Sequence, residues 1–115
     1  MPDVDLSYLN ELQATFQKEA GELIDFYLQD ATKKIANLFQ ALQETDLDHF
    51  KEAARELRYR SIDIGAIDFS YTCLSVEIAA QEIRLDLLPN LILLLKKKFE
   101  SIHQTLTRIK QSRTD

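Results

Sequence analysis

Helix-breaking residues are scarce in this chain. Its 115 residues include only two glycines and two prolines. Because Gly and Pro are the usual residues of turns, so few of them leave little room for hairpins or long loops and favour long helices. The hydrophobic share of 45%, with 29% charged residues, is typical of a folded globular protein. We therefore predict one domain over residues 1–115, able to bury about two thirds of its unfolded surface without a metal or disulfide.

Further absences bear on the compartment. The single cysteine, Cys73, cannot form an internal disulfide, so nothing favours an oxidising compartment; we expect it in the core. The N-terminus has no basic region followed by an apolar run, and the longest unbroken apolar stretch, residues 91–95, is too short to span a bilayer. We expect a cytoplasmic protein with no membrane association.

The net charge and the absence of catalytic and metal-binding motifs exclude several classes of function. The net charge is −5, and an acidic protein lacks the concentrated basic surface that nucleic acid binding needs. The sequence has no His- or Cys-rich metal spacing, no glycine-rich phosphate loop and no Ser-His-Asp set that its pattern can support. We therefore predict no catalytic residue, no cofactor, no metal site and no enzyme activity.

Apolar residues recur at steps of three and four along almost the whole chain, which is typical of amphipathic helices. The first of these patterns predicts a short N-terminal helix that Asp3 or Asp5 could cap. The next runs from Phe16 to Leu42 and predicts a helix of about 27 residues, or about 40 Å.

Capping signals divide the rest of the chain. Asp46 can cap a third helix whose C-terminal end suits Gly65. A fourth helix carries apolar residues from Phe69 to Ile83, and Asp86 and Pro89 mark the entry to the last one. Leu93 and Leu94 fall off its apolar stripe and either widen the core or form a small contact surface. The short connections predict an all-α, antiparallel up-down four-helix bundle with a short extra N-terminal helix.

The run AARELRYRSIDIGA, residues 53–66, has a distinctive order of basic, small and glycine residues: Arg55, Arg58, Tyr59, Arg60, Ser61 and then Gly65-Ala66. It resembles the active helix of the histidine phosphotransfer family. There the helix carries His, then Lys three residues on, then Gly, then small residues, with a Gly-Ala pair where it ends. Residues 23–31, 47–54 and 65–80 are similar to neighbouring parts of that family, the last including Cys73 and Glu77 at the expected spacing.

The resemblance implies that Arg55 stands where the family has its phosphoacceptor histidine. That histidine attacks an aspartyl phosphate on a receiver domain through a nitrogen lone pair, which a protonated guanidinium lacks. Tyr59 replaces the Gly that leaves the imidazole open, whereas Arg58 keeps the positive charge of the family's Lys. We therefore expect a monomeric, non-catalytic module of two-component signalling. Its partner would be a response-regulator receiver domain or a histidine kinase, bound through Arg55, Arg58, Tyr59 and Arg60.

Three alternatives stay open at this stage. The arginines could form a solvated helix face with Glu52 and Glu56 as exposed partners. Phosphotransfer could use His49, about 120° around the helix from position 55, or His103 on the last helix. The chain could also be a structural or oligomerising bundle that keeps only the scaffold of the family.

Overall fold

A computed structural model describes residues 6–111, which form five α-helices. The bounds of the helices are α1 (Leu6–Thr15), α2 (Gln17–Gln43), α3 (Leu47–Asp63), α4 (Ile67–Gln81) and α5 (Leu88–Gln111). The predicted caps of the first helix, Asp3 and Asp5, lie outside the described residues. The 27 residues of α2 agree with the length predicted from its apolar stripe.

Each long helix packs against its neighbours in the chain. Helix α3 contacts α2 and α4, α5 contacts α4 and returns to α2, and α1 packs on α2. Because the connections between them are short, the four long helices α2 to α5 run alternately antiparallel in an elongated body of 47 × 24 × 18 Å. The prediction of an all-α up-down four-helix bundle with a short N-terminal helix is confirmed, while the assignment of residues 1–115 to one domain stays a prediction.

The core is formed by apolar side chains at steps of three and four on each long helix. On α2 these are Ala20, Ile24, Tyr27, Ala31, Ile35, Leu38 and Ala41. Facing helices contribute further large, fully buried side chains, among them Phe50, Leu57, Phe69, Ile92, Leu95 and Leu106. Cys73 is fully buried, as predicted from its place on the apolar stripe of α4.

Two predicted helix boundaries are confirmed by hydrogen bonds. The Asp46 carboxylate accepts the backbone N–H of His49 at 3.2 Å and so caps α3. At the other end of α3, Gly65 has φ 87° and its N–H donates to the Ile62 carbonyl at 3.0 Å. The next N–H, from Ala66, donates to the Ser61 carbonyl at 2.8 Å, which completes a Schellman motif.

Two apolar residues assigned to helical stripes lie outside the helices. Phe16 falls between α1 and α2, where its φ of −132° breaks the helix, and its ring is exposed. Ile83 follows the end of α4 and is 65% exposed, so its assignment to that stripe is wrong. Helix α4 ends before Ile83 because a second Schellman motif forms there, with Ile83 in the left-handed region at φ 55°.

Leu93 and Leu94 project from α5 into solvent, which excludes the alternative that they widen the core. The connection between α4 and α5 also exposes apolar side chains, from Leu85 and Leu87. Within residues 6–111, no helix has both the length and the apolar character that crossing a membrane requires.

Candidate partner-binding surface on helices α3 and α4

Two arginines of α3 bind one carboxylate of α4. The Arg55 Nε donates to Glu77 Oε1 at 3.2 Å and the Arg58 Nε donates to Glu77 Oε2 at 3.0 Å. The exposed fractions of the side chains are 53% for Arg55, 20% for Arg58 and 13% for Glu77. Glu77 therefore lies between the helices with both oxygens engaged, while the Arg55 side chain reaches solvent.

The same face of α3 carries further contacts on either side of this pair. One turn before Arg55, the Lys51 ammonium donates to the side chain of Gln81 at 3.4 Å. One turn after it, the Tyr59 ring lies 4.7 Å from the Arg58 guanidinium carbon, a cation–π contact. The hydrogen bond that Arg58 donates to the Glu77 carboxylate raises the pKa of Arg58, which stays cationic. A row of three cations thus runs along the α3–α4 boundary.

Arg60 is separated from this row. It lies five residues after Arg55, which places it about 140° around the helix. Its Nε is 4.0 Å from an Asp30 carboxylate oxygen, and its guanidinium is 5.7 Å from the centre of the Phe26 ring, both on α2. The structure therefore brings together Arg55, Arg58 and Tyr59 and places Arg60 on the α2 side of α3.

The alternative of a solvated helix face, with Glu52 and Glu56 as partners of the arginines, does not hold for Glu56, whose carboxylate lies 3.3 Å from the Lys34 ammonium on α2. Arg55 and Arg58 turn instead toward α4, where Glu77 offers both oxygens of a largely buried carboxylate. In the sequence, Glu77 stands out only because its distance from the Gly65-Ala66 pair resembles that in the histidine phosphotransfer family. The ion pairs it makes join residues on different helices, which local spacing rules do not cover.

An exposed apolar strip borders the arginines on α4. Ile67, Tyr71 and Ile78 are exposed and Leu74 is half-buried; we call these four residues the α4 strip. At 100° per residue, all four lie within about 120° of Glu77 on one side of the helix. Tyr59 and Ile62 of α3 are also exposed. Helix α4 thus carries apolar side chains on its exposed side as well as on its buried side. Such a distribution is typical of a helix that is covered on both sides, so the α4 strip indicates a contact surface.

A hydrogen-bonded pair of hydroxyls fixes α3 against α2 in the interior. The Tyr27 and Ser61 hydroxyl oxygens are 2.7 Å apart, and the Ser61 hydroxyl donates to the Leu57 carbonyl at 2.7 Å. Burial raises the pKa of Tyr27 well above its usual range, so the phenol is protonated and donates to Ser61. This contact holds α3 in the rotation that directs Arg55 and Tyr59 outward.

The two histidines lie away from Arg55. His49 is in the first turn of α3, where its ring bonds the Asp46 carboxylate, which raises the pKa of His49. His103 is on α5, with its ring edge-on to Phe99 at 6.1 Å, and α5 and α3 do not pack against each other in the described part of the chain.

Over residues 6–111, no three side chains of the metal-binding types come together.

Comparison with known proteins identifies the fold. The structure is similar to the crystal structure of histidine-containing phosphotransfer protein B from Pseudomonas aeruginosa, with a TM-score of 0.89 over 96% of each chain. The two sequences are 24% identical, and the likeness establishes a shared helical bundle fold. No family model and no curated protein matches the sequence.

Proposed function

We propose that this chain is a phosphotransfer-like binding module of phosphorelay signalling that carries no phosphoryl group. It binds a response-regulator receiver domain or a histidine kinase through Arg55, Arg58, Tyr59 and the α4 strip. The observation that carries the proposal is the exposed Arg55 side chain, on the outer face of α3 in a bundle with the fold of a phosphotransfer protein.

The chemistry of residue 55 supports a role in binding. Phosphoryl transfer through a side chain needs a nucleophilic lone pair, and a guanidinium only donates hydrogen bonds. The same group is well suited to carboxylates and phosphoryl groups, because its planar fork matches their oxygens. Arg55 in place of a histidine thus removes the transfer step and keeps affinity for the acidic pocket that the family's partners present.

The α4 strip adds the apolar area that a protein interface requires. Aromatic residues and arginine are enriched in interfaces, and a cluster of exposed apolar side chains next to charged ones marks such a site. Tyr59, Tyr71 and Ile78 supply this character beside the two arginines. A partner with an acidic pocket bordered by apolar side chains fits this surface.

Titration calorimetry against receiver domains from the same cell, phosphorylated and unphosphorylated, tests the proposal. We expect at least one of them to bind, and the double variant Arg55→Gln, Arg58→Gln to bind it at least tenfold more weakly. The matched control is Arg108→Gln with Lys110→Gln, which removes the same charge from the last turn of α5. Failure of every receiver domain and kinase to bind the unchanged protein would contradict the proposal.

An oligomerising bundle is the second candidate, and the exposure of the α4 strip favours it. In that case the strip would be covered by a second copy of the chain. Sedimentation velocity over a range of concentrations distinguishes the two functions. A dimer that Tyr71→Glu dissociates, in a protein that binds no receiver domain, would favour the second candidate.

A further inference from the structure

Glu77 already accepts hydrogen bonds from Arg55 and Arg58, the two arginines that the proposed function assigns to partner binding. Its two oxygens each accept from one guanidinium, at 3.2 and 3.0 Å. A partner carboxylate or phosphoryl group that binds Arg55 in the bidentate geometry through Nε and a terminal nitrogen would need the Nε–H that now donates to Glu77. The chain therefore already supplies an anion to the site at which an acidic partner is expected to dock.

We propose that Glu77 is an internal competitor of the partner's acidic group, and that docking exchanges the Glu77 contact of Arg55 for a contact with the partner. This inference rests on the proposed function and concerns the same surface. It makes Glu77 a residue that sets affinity, since each docking event must first release one of its ion pairs.

The geometry assigns different roles to the two arginines. Arg58 is largely covered and stacks on Tyr59, so it stays on Glu77. Arg55 is half exposed and reaches Glu77 through Nε, one of the five N–H donors of a guanidinium. Arg55 is therefore the group that turns outward, while Arg58 holds the Glu77 carboxylate and limits the cost of the exchange.

The local charge gives the direction of the effect. Two guanidinium groups and one carboxylate leave one net positive charge at the centre of the surface. Replacing Glu77 by Gln doubles this charge and keeps the size of the side chain. An acidic partner then binds more tightly, and the gain should shrink at high salt because the added attraction is electrostatic.

The experiment measures the affinity of a receiver domain for Glu77→Gln. We expect its Kd to fall about threefold to tenfold, the range of a partly exposed ion pair. The matched control is Glu100→Gln, which makes the same charge change at an exposed position on α5 and should leave the Kd within about twofold. In the background of Arg55→Gln with Arg58→Gln, the gain from Glu77→Gln should be smaller, because no guanidinium is released and only the repulsion of the partner by Glu77 is removed. Unchanged or weaker binding by Glu77→Gln would overturn the inference.

A partner-independent measurement separates failure of this inference from failure of the proposed function. Inorganic phosphate is titrated into the protein while the Nε resonances of Arg55 and Arg58 are followed by NMR. Phosphate should shift the Arg55 resonance first, with a Kd at least threefold lower in Glu77→Gln. Equal Kd values in the two proteins would overturn the inference, whatever the receiver domains do.

A second substitution covers the case in which Glu77→Gln does not fold. Glu77→Asp keeps the charge but is one methylene shorter, so it cannot reach both guanidinium groups equally well. It should give phosphate and receiver affinities between those of the unchanged protein and those expected for Gln. Affinities below those of the unchanged protein would count against competition by Glu77.

Discussion

The hydroxyl groups of Tyr27 and Ser61 join α2 to α3 inside a largely apolar core. Tyr27→Phe removes one donor and should lower the free energy of unfolding by about 1 kcal/mol. Ser61→Ala leaves the Tyr27 hydroxyl buried without an acceptor and should cost more, about 1–3 kcal/mol. Urea denaturation measures both, with Tyr71→Phe on the exposed side of α4 as the control. A smaller loss for Ser61→Ala than for Tyr27→Phe would show that the pair does not act as described.

The contact between His49 and Asp46 makes stability depend on pH. The hydrogen bond that the His49 ring donates to the Asp46 carboxylate raises the pKa of His49 above its ordinary 6.5 in the folded protein. Its contribution is therefore complete below pH 6.5 and is lost as the pH rises through the raised pKa. Denaturation from pH 5.5 to 9 should show the unchanged protein more stable than His49→Gln at the acid end, with the gap closing toward the alkaline end. A gap that is constant with pH would contradict this.

Sequence rules worked for contacts within one helix and failed between helices. The Asp46 cap follows from residues three apart. The rule of 100° per residue separates Arg60 from Arg55, yet the prediction from the sequence grouped both on one binding surface. The partner of Arg55 and Arg58 does not follow from spacing, because Glu77 reaches them only through the rotation at which α4 packs on α3. Local spacing pairs Arg55 with Glu52, three residues earlier on the same helix, and so does not point to Glu77.

Three helices end in the same hydrogen-bonding pattern, although only one uses glycine. Thr45 after α2, Gly65 after α3 and Ile83 after α4 all have positive φ and donate to the carbonyl three residues before them. Gly65 is the one glycine among these three residues, and it predicted the end of α3 from the sequence. The end of α4 has Ile83, a β-branched residue, in a conformation that costs about 1–2 kcal/mol. The sequence has no glycine there that would predict where this helix ends.

This difference gives a prediction at the level of the helix. Ile83→Gly removes the steric cost at an exposed position and should raise the free energy of unfolding by about 0.5–1 kcal/mol. Gly65→Ala introduces the same cost at φ 87° and should lower it by about 1–2 kcal/mol. Urea denaturation of both variants is the measurement. A destabilising Ile83→Gly would mean that the Ile83 side chain contributes more by packing than its backbone conformation costs.

At the scale of the whole molecule, an imidazole placed at position 55 tests whether this bundle can accept a phosphoryl group. In Arg55→His with Tyr59→Gly, an imidazole would stand at an exposed site with an open approach. We expect this double variant to gain acid-labile phosphate from a phosphorylated receiver domain, each single variant to gain less, and the unchanged protein to gain none.

The control for that assay is Arg108→His, which places an imidazole on the exposed side of α5. It should remain unlabelled, because accessibility alone does not align a histidine with an aspartyl phosphate. Label on His49 or His103 of the unchanged protein would contradict the assignment of residue 55. A double variant that binds no receiver domain would show that the scaffold has diverged from this use.

The buried thiol at position 73 gives the protein an intrinsic reporter. Cys73 is the one cysteine of the chain, it has no exposed surface, and burial raises the pKa of its thiol to about 12. A disulfide reagent can therefore react only during transient separation of the helices, and the labelling rate measures how often they separate. A ligand that binds α3 and α4 together would lower the labelling rate of Cys73, so ligand binding can be followed colorimetrically without any attached dye.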